Sequence, residues 1–291
     1  MRSPSPLNKG ADMTDKWNMI VDVAKCENCH NCVLAVKDEH IGNEFPGYAA
    51  PQPRHGHEWV RISRKIRGTD HLVDTAYRPS MCNHCDDAPC VKAGNGCIAK
   101  RDDGIVLIDP VKSRGRKDLV EACPYGNIWW NDELSIPQHW TFDAHLLDNG
   151  WKEPRASQAC PTGALKAVKH SDEAMARMVK AENLETMPSR RGAKPRIWYK
   201  NMHRFTKCFI GGSVVASSGG VTDCVEGATV SLLRDGKTVA ETTTDTFGDF
   251  KFDGLEADGS EYDVQIAADA GKASAKVALT DTVCIGDLQL V

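Results

Sequence analysis

The sequence predicts an α+β chain of two unlike parts, a cysteine-rich metal-binding domain followed by a small antiparallel β-sandwich. Three observations predict it. The 291 residues exceed what one hydrophobic core usually serves. Nine of the twelve cysteines (Cys26, Cys29, Cys32, Cys82, Cys85, Cys90, Cys97, Cys123 and Cys160) precede residue 161. From about Cys208 onward, short runs of Val, Thr, Ile and Leu are separated by turn signals, as regular antiparallel strands require. The expected bounds are a flexible leader over 1–18, the cysteine-rich domain over 19–184, a linker or strap over 185–204 and the sandwich over 205–291.

The leader is polar and Pro/Ser-bearing as far as Met13, a candidate start, and has no periodic pattern to bury. Met19-Ile20-Val21-Asp22-Val23 reads as a buried strand feeding a ligand loop, and Cys32 to His40 as a helix. Glu58 to Arg64 alternates like a strand, Gly104 to Pro110 reads as a hairpin strand closed by proline, and Lys112 to Ala122 as a helix delivering Cys123. A further helix is expected over Ser171 to Leu184, with Ser171 as N-cap and Ala174, Met175, Met178 and Val179 on its buried face. Residues 185–200 are rich in Arg, Lys, Pro and Gly, which suits a linker. In the tail, strands are expected over Ala228 to Leu233, Thr238 to Thr244, Tyr262 to Ala267 and Lys272 to Leu279, with turns at Asp235-Gly236 and Phe247-Gly248-Asp249.

The cysteines carry the chemistry. Cys26, Cys29 and Cys32 form two consecutive CxxC steps, and Cys82, Cys85 and Cys90 form a second triad in one loop. Each triad lacks a fourth ligand. Two further cysteines precede proline, in Cys123-Pro124-Tyr125-Gly126 and Cys160-Pro161-Thr162-Gly163, and a ferredoxin-type run likewise ends in Cys-Pro with that cysteine crossing to another cluster. Two triads and two Cys-Pro ligands make two quartets, which points to two 4Fe-4S clusters in a ferredoxin-like double iron–sulfur domain. Nested pairing joins Cys26, Cys29 and Cys32 to Cys160, and Cys82, Cys85 and Cys90 to Cys123; spacing alone also permits the crossed assignment. The rival is a pair of zinc sites in a scaffold with no redox role, since CxxC pairs suit tetrahedral zinc. Zinc ribbons usually have two CxxC halves, whereas a three-cysteine loop with a remote Cys-Pro is a ferredoxin habit.

Cys97, Cys208, Cys224 and Cys284 are read as small buried residues, and His30, His84 and His139 as surface residues or neighbours of the ligand loops. A net charge of −4 gives no electrostatic footprint for nucleic acid, so partners are expected to be proteins. No stretch has the roughly 18 uninterrupted apolar residues of a spanning helix, and no signal-like run opens the chain, so a cytoplasmic protein without membrane contact is expected. In that reducing compartment clustered thiols bind metal more readily than they form disulfides. The chain has neither GxSxG nor GxxxxGK[ST] and no paired-carboxylate site, so no catalytic residue is expected in it.

The series CENCHNC, CNHCDDAPC, KRDDGIVLIDP, CPYGNIWWN, AHLLD and CPTGAL resembles the four-motif iron–sulfur subunits of molybdopterin oxidoreductases of the dimethyl sulfoxide reductase family. Within it, VDVAKCENCHNC, KDEH, PGY at Pro46 to Tyr48, YRPS before Cys82, AGNG at Ala93 to Gly96 and KPRIWYKN at Lys194 to Asn201 are similar to the small subunits of pyrogallol-phloroglucinol transhydroxylase and resorcinol hydroxylase. This resemblance, which covers nearly the whole chain, implies a large partner with a molybdenum or tungsten pterin cofactor acting on a phenolic ring, an external electron acceptor, and a transthyretin-like or collagen-adhesin-B-like tail. The third motif, SRGRKDLVEACPYG, keeps only Cys123 of its four cysteines. The transhydroxylase type is expected to carry a third cluster, whose ligand positions are Val36, Trp140, Asp143 and Ala156 here, so that site is expected to be lost, with Trp140 and Phe142 filling the space.

Overall fold

A computed structural model describes residues 14–189 and 191–291; the expected leader lies outside them up to residue 13. Contacts divide the chain into two units, one of residues up to Ser63 with Tyr77–Asn201, the other of Arg64–Ala76 with Met202–Val291.

The first unit follows the order β1 (Lys16–Asp22), α1 (Asn31–His40), β2 (Val60–Arg67), β3 (Asp74–Met81), α2 (Pro89–Gly94), β4 (Ile98–Lys100), β5 (Val106–Ile108), β6 (Trp129–Asn131) and β7 (Ile136–Gln138). It continues through α3 (Ala144–Asp148), α4 (Arg155–Gln158), β8 (Leu165–His170), α5 (Asp172–Glu182) and β9 (Ile197–Lys200). β1 is the middle strand of a sheet ordered β8-β1-β9, antiparallel to β8 and parallel to β9. That central place explains its unbroken apolar run: Met19, Ile20 and Val21 are all buried, as a strand covered on both faces requires. The strand begins at Lys16, three residues ahead of the apolar run, because its first residues also find partners on β8. Two-stranded ribbons β4-β5 and β6-β7 complete the strands of this part, and the ribbon β2-β3 is shared, since Arg64–Ala76 belong to the second unit.

Two differences from the sequence-based expectation have local causes. Lys112 to Ala122 forms only one 3₁₀ turn, Lys117–Val120, because Gly115 adopts φ +79° and interrupts any helix before it starts. Inside the stretch 185–204, expected as a linker, Ile197–Lys200 pair with β1, and Ile197 and Tyr199 are fully buried. α5 follows expectation: the Ser171 hydroxyl accepts the Ala174 N–H at 3.2 Å, Asp172 and Glu173 occupy the first turn, and Met175 packs with Ile20, Val168 and Leu184.

The second unit opens with α6 (His203–Thr206), followed by β10 (Cys208–Ser218), β11 (Val221–Cys224), β12 (Thr229–Arg234), β13 (Lys237–Thr243), β14 (Asp249–Leu255), β15 (Glu261–Ala268), β16 (Gly271–Ala278) and β17 (Val283–Gln289). Two four-stranded sheets result, β11-β10-β14 with β17 on β10, and β13-β12-β15-β16. They share one core, Ile210, Val214, Phe250 and Phe252 from the first with Val230, Leu232, Tyr262, Val264 and Ile266 from the second. This is a sandwich, but it is not wholly antiparallel. After β16 the chain crosses to the other sheet and β17 runs parallel to β10, a pairing that needs such a crossover. The glycine pair on β10 makes room: a Cβ at Gly212 would stand 2.9 Å from Ile285 Cγ1 and 3.0 Å from the Gly286 carbonyl.

Candidate metal centre

The eight cysteines expected as ligands fall into two groups. Cys26 and Cys29 lie in the loop between β1 and α1, and Cys32 in the first turn of α1. Asn28 (φ 58°) and His30 (φ 61°) take the left-handed conformation, which folds this loop tightly. The fourth thiol arrives through sheet register. Val21 on β1 faces Leu165 on β8, and the Asp22 N–H donates to the Ala164 carbonyl at 2.7 Å, so the turn Cys160-Pro161-Thr162-Gly163 is held beside the loop that leaves β1. Burial pushes the Cys32 thiol up to about 12, with the charges of Cys26 and Cys160 adding to it. Cys26 is likewise raised, first by burial, and Cys160 and Cys29 act on it.

The second group is built the same way. Cys82 follows β3, Cys85 lies in the loop after it, and Cys90 sits in the first turn of α2, where Pro89 occupies the first helical position. The Asn127 side chain donates to the Met81 carbonyl, which ties the Cys123 turn to the end of β3 one residue before Cys82. Burial raises Cys82 well above the usual thiol value, with contributions from Cys123, Cys90 and Cys85. Cys85 is pushed up to about 12 and Cys90 to about 11, again by burial first and then by neighbouring thiols. Thus Cys160 stands with the first triad and Cys123 with the second.

Both Cys-Pro turns close alike. Gly126 and Gly163 both have φ +63°, and each donates its N–H to the cysteine carbonyl three residues earlier, at 3.2 and 3.3 Å. The sulfurs have polar neighbours: the Asn127 N–H points at Cys123 Sγ from 3.4 Å, and Thr162 Oγ1 is 3.7 Å from Cys160 Sγ.

The donor set fits a cubane. All twelve cysteines are free thiols, and each group offers four of them. Among the described residues no three His, Cys, Asp or Glu side chains are gathered as ligands of a single metal ion. Burial holds the Cys32, Cys82, Cys85 and Cys90 thiols up, and binding a compensating positive core would favour their thiolate forms.

The four residues at the positions expected for a third cluster are packed together in the core. Val36, Trp140, Asp143 and Ala156 are all buried to within 1% of full coverage. α1, which carries Val36, packs on α4, which carries Ala156. The Trp140 ring lies 4.8 Å from that of Phe142, and both abut His84 of the second cysteine loop, at 5.9 and 5.4 Å. The Asp143 carboxylate is fully used: it accepts from His40 Nε2 at 2.9 Å, Trp140 Nε1 at 3.2 Å and the Arg155 N–H at 2.9 Å.

The remaining cysteines do not join either group. Cys97 is buried with its thiol on the Gly94 carbonyl, and Cys208 is buried in the sandwich. Cys224, expected to be buried, is exposed because β11 pairs only with β10 and all four of its residues face solvent; Cys284 is half-buried. His84 and His139 are buried and His30 is exposed.

Residues 73–170 match the family model for a 4Fe-4S dicluster domain, a span holding five of the eight cysteines, from Cys82 to Cys160. The pyrogallol hydroxytransferase small subunit of Pelobacter acidigallici is 44% identical over 280 residues, covering 95% of this chain and 100% of that one. This protein belongs to that family of iron–sulfur small subunits. Beyond it, the small subunit is 34% identical over 140 residues to the arsenate respiratory reductase iron–sulfur subunit of a Shewanella species, covering 48% of this chain and 55% of that one. One polypeptide of the Escherichia coli anaerobic dimethyl sulfoxide reductase is 30% identical over 157 residues, 53% of this chain and 73% of that one. Among solved structures, a Klebsiella pneumoniae 5-hydroxyisourate hydrolase aligns with 28% of this chain and 91% of its own at 18% identity, with a TM-score of 0.24, too low to assign a fold. Among the described residues no helix is long and apolar enough to cross a membrane.

Sequence reasoning did not single out Lys100, Asn127 or Arg196, which hold the second cysteine loop. They lie on β4, after a Cys-Pro turn and just before β9, and nothing in the linear sequence announces that they meet.

Proposed function

We propose that this small subunit transfers electrons within a heteromeric molybdopterin-dependent hydroxylase or transhydroxylase acting on a phenolic ring. Cys26, Cys29, Cys32 and Cys160 hold one 4Fe-4S cluster, and Cys82, Cys85, Cys90 and Cys123 hold the other. The observation that carries this reading is the meeting of each triad with one Cys-Pro turn from a distant part of the chain. Substrate chemistry belongs to a large partner bearing molybdenum or tungsten on a pterin, and electrons leave to an external acceptor in the cytoplasm. The second unit, as a transthyretin-like or collagen-adhesin-B-like domain, clasps that partner.

A bound 4Fe-4S cluster supplies one-electron oxidation and reduction with little movement of atoms. The chain's own residues do the rest. Buried thiols Cys32 and Cys85 keep water from the centres, the Asn127 N–H and the Thr162 hydroxyl offer hydrogen bonds to coordinating sulfur, and the sheet register fixes each quartet.

The test is anaerobic purification with the native partner, followed by iron, zinc and acid-labile sulfide analysis and EPR of the reduced protein. About eight iron and eight sulfide per chain are expected from two cubanes. Cys160→Ala and Cys123→Ala should each abolish a different signal. Zinc without sulfide would sink the proposal, and about twelve iron would mean that ligands exist at the plugged position.

A second reading is favoured by that plug: the two clusters store charge or stabilise the fold, and electrons do not pass between them during turnover. Cluster reduction by substrate slower than turnover, in the intact complex, would support storage over transfer.

A further inference from the structure

We infer that Lys100 is a positioning residue that sets the reduction potential of the cluster held by Cys82, Cys85, Cys90 and Cys123, raising it through its fixed positive charge. This rests on the ligand reading above and adds to it a specific electrostatic device.

The geometry is that of a built cation site. Lys100 ends β4 and turns its ammonium under the second cysteine loop, where Nζ lies 2.9 Å from the His84 carbonyl, 3.1 Å from the Cys85 carbonyl and 2.9 Å from the Gly104 carbonyl. Asp86 Oδ1 is a fourth acceptor at 3.1 Å. Four acceptors converge on it, so the nitrogen must carry its full set of protons. Asp86 is itself shared with Arg196, whose Nε lies 2.7 Å away and whose side chain is 4% exposed. Arg196 also reaches Asp172 on α5 at 2.5 Å and Asn18 on β1 at 3.3 Å, so the loop is clamped to the sheet.

The charge sits on the ligand loop itself: the Lys100 ammonium is hydrogen-bonded to the carbonyl of Cys85, a ligand residue, and to that of His84 beside it. One-electron reduction adds one negative charge to whatever the four thiolates hold. In a half-buried quartet that added charge is poorly solvated, and potentials follow net charge and exposure. A fixed ammonium hydrogen-bonded to a ligand residue's carbonyl offsets the cost at this quartet.

The experiment is a redox titration of the full-length chain, purified anaerobically with its clusters and followed by EPR. Cys123→Ala first identifies the signal of this quartet; if that signal survives the substitution, the ligand reading itself fails. Lys100→Gln should then shift its midpoint negative by at least 59 mV, a tenfold change in the reduced-to-oxidised ratio at fixed potential, and leave the other midpoint in place. Asp86→Asn, which unmasks Lys100 and Arg196, should shift the same midpoint positive. If the Cys123→Ala signal is correctly identified but neither variant moves it, or both move it the same way, or both lose the cluster, Lys100 is a structural clamp only and the proposal is overturned.

Discussion

Replacing Trp140 by Ala tests whether the third-cluster position is a packed plug. The indole is fully buried, and a buried tryptophan removes about 150–250 Å² from water, worth about 4–6 kcal/mol at 25 cal/mol per Å² as an upper bound. Large-to-small substitutions at such sites cost about 3–5 kcal/mol, because the walls relax only in part. Here the walls are Phe142 at 4.8 Å and His84 at 5.9 Å, and α1 and α4 are pinned through His40, Asp143 and Arg155. Little collapse is open to them, so the full range is expected. Trp140→Phe keeps most of the volume and loses one hydrogen bond to an Asp143 that retains two other donors, and should cost only about 1 kcal/mol beyond the lost ring area. The assay is anaerobic guanidinium unfolding followed by circular dichroism, with iron counted on the folded variants. A cost under about 1 kcal/mol for Trp140→Ala would refute the plug, and a fall in iron would show that Trp140 supports a cluster directly.

Asp143→Ala should cost at least about 3 kcal/mol in the same assay, because it strands the buried His40 and Trp140 donors and the Arg155 N–H together. Burial lowers His139 to about 4, below the 6.5 of an unfolded chain, so protonation favours unfolding. Its contribution is intact above about pH 6.5 and is lost progressively down to about pH 4, amounting to about 3 kcal/mol at 1.36 kcal/mol per pH unit; unfolding free energies across that window should flatten in His139→Gln, and an unchanged slope would contradict the assignment. Gly212→Ala forces a methyl against Ile285, Gly286 and Phe250 and should destabilise the sandwich by about 1–3 kcal/mol, read as an earlier thermal transition.

The metal chemistry was legible because it is written in local spacing. CENCHNC and CNHCDDAPC each place three thiols within one loop, and no tertiary information is needed to see it. The choice of fourth partner was not legible, since it depends on Val21 facing Leu165 and on Asn127 reaching the Met81 carbonyl, contacts across 144 and 46 residues. Strands with alternating patterns, such as β12, β13, β15 and β16, stood out in the tail. β10, β11, β14 and β17 did not. β10 carries Gly211-Gly212 where a strand pattern wants branched side chains, and those glycines are there to admit β14 and β17 at close range. The short helix expected before Cys123 failed on a single glycine. Lys100 was invisible for a different reason: a lone lysine in a charged stretch looks like surface, and only the carbonyls of His84, Cys85 and Gly104 converging on it reveal a site.

Taken together, the plug and the lysine act on the same problem from two sides. A third cluster at the Val36, Trp140, Asp143 and Ala156 positions would offer an electron an intermediate stop, and tunnelling falls steeply with distance. In this chain that site holds Trp140, Phe142 and a carboxylate whose three donors are already committed, none of which stores an electron at the potentials of iron–sulfur chemistry. Transfer between the quartets must therefore proceed without that stop, in one step, and the driving force for that step becomes decisive. Lys100 supplies it in one direction, by making the quartet of Cys82, Cys85, Cys90 and Cys123 easier to reduce than it would be without the charge. Lys100→Gln should accordingly slow the filling of that cluster after its neighbour is reduced by more than it changes the reverse step, a ratio that rapid-freeze EPR can resolve; equal slowing of both directions would mean that distance alone, and not the placed charge, controls the path.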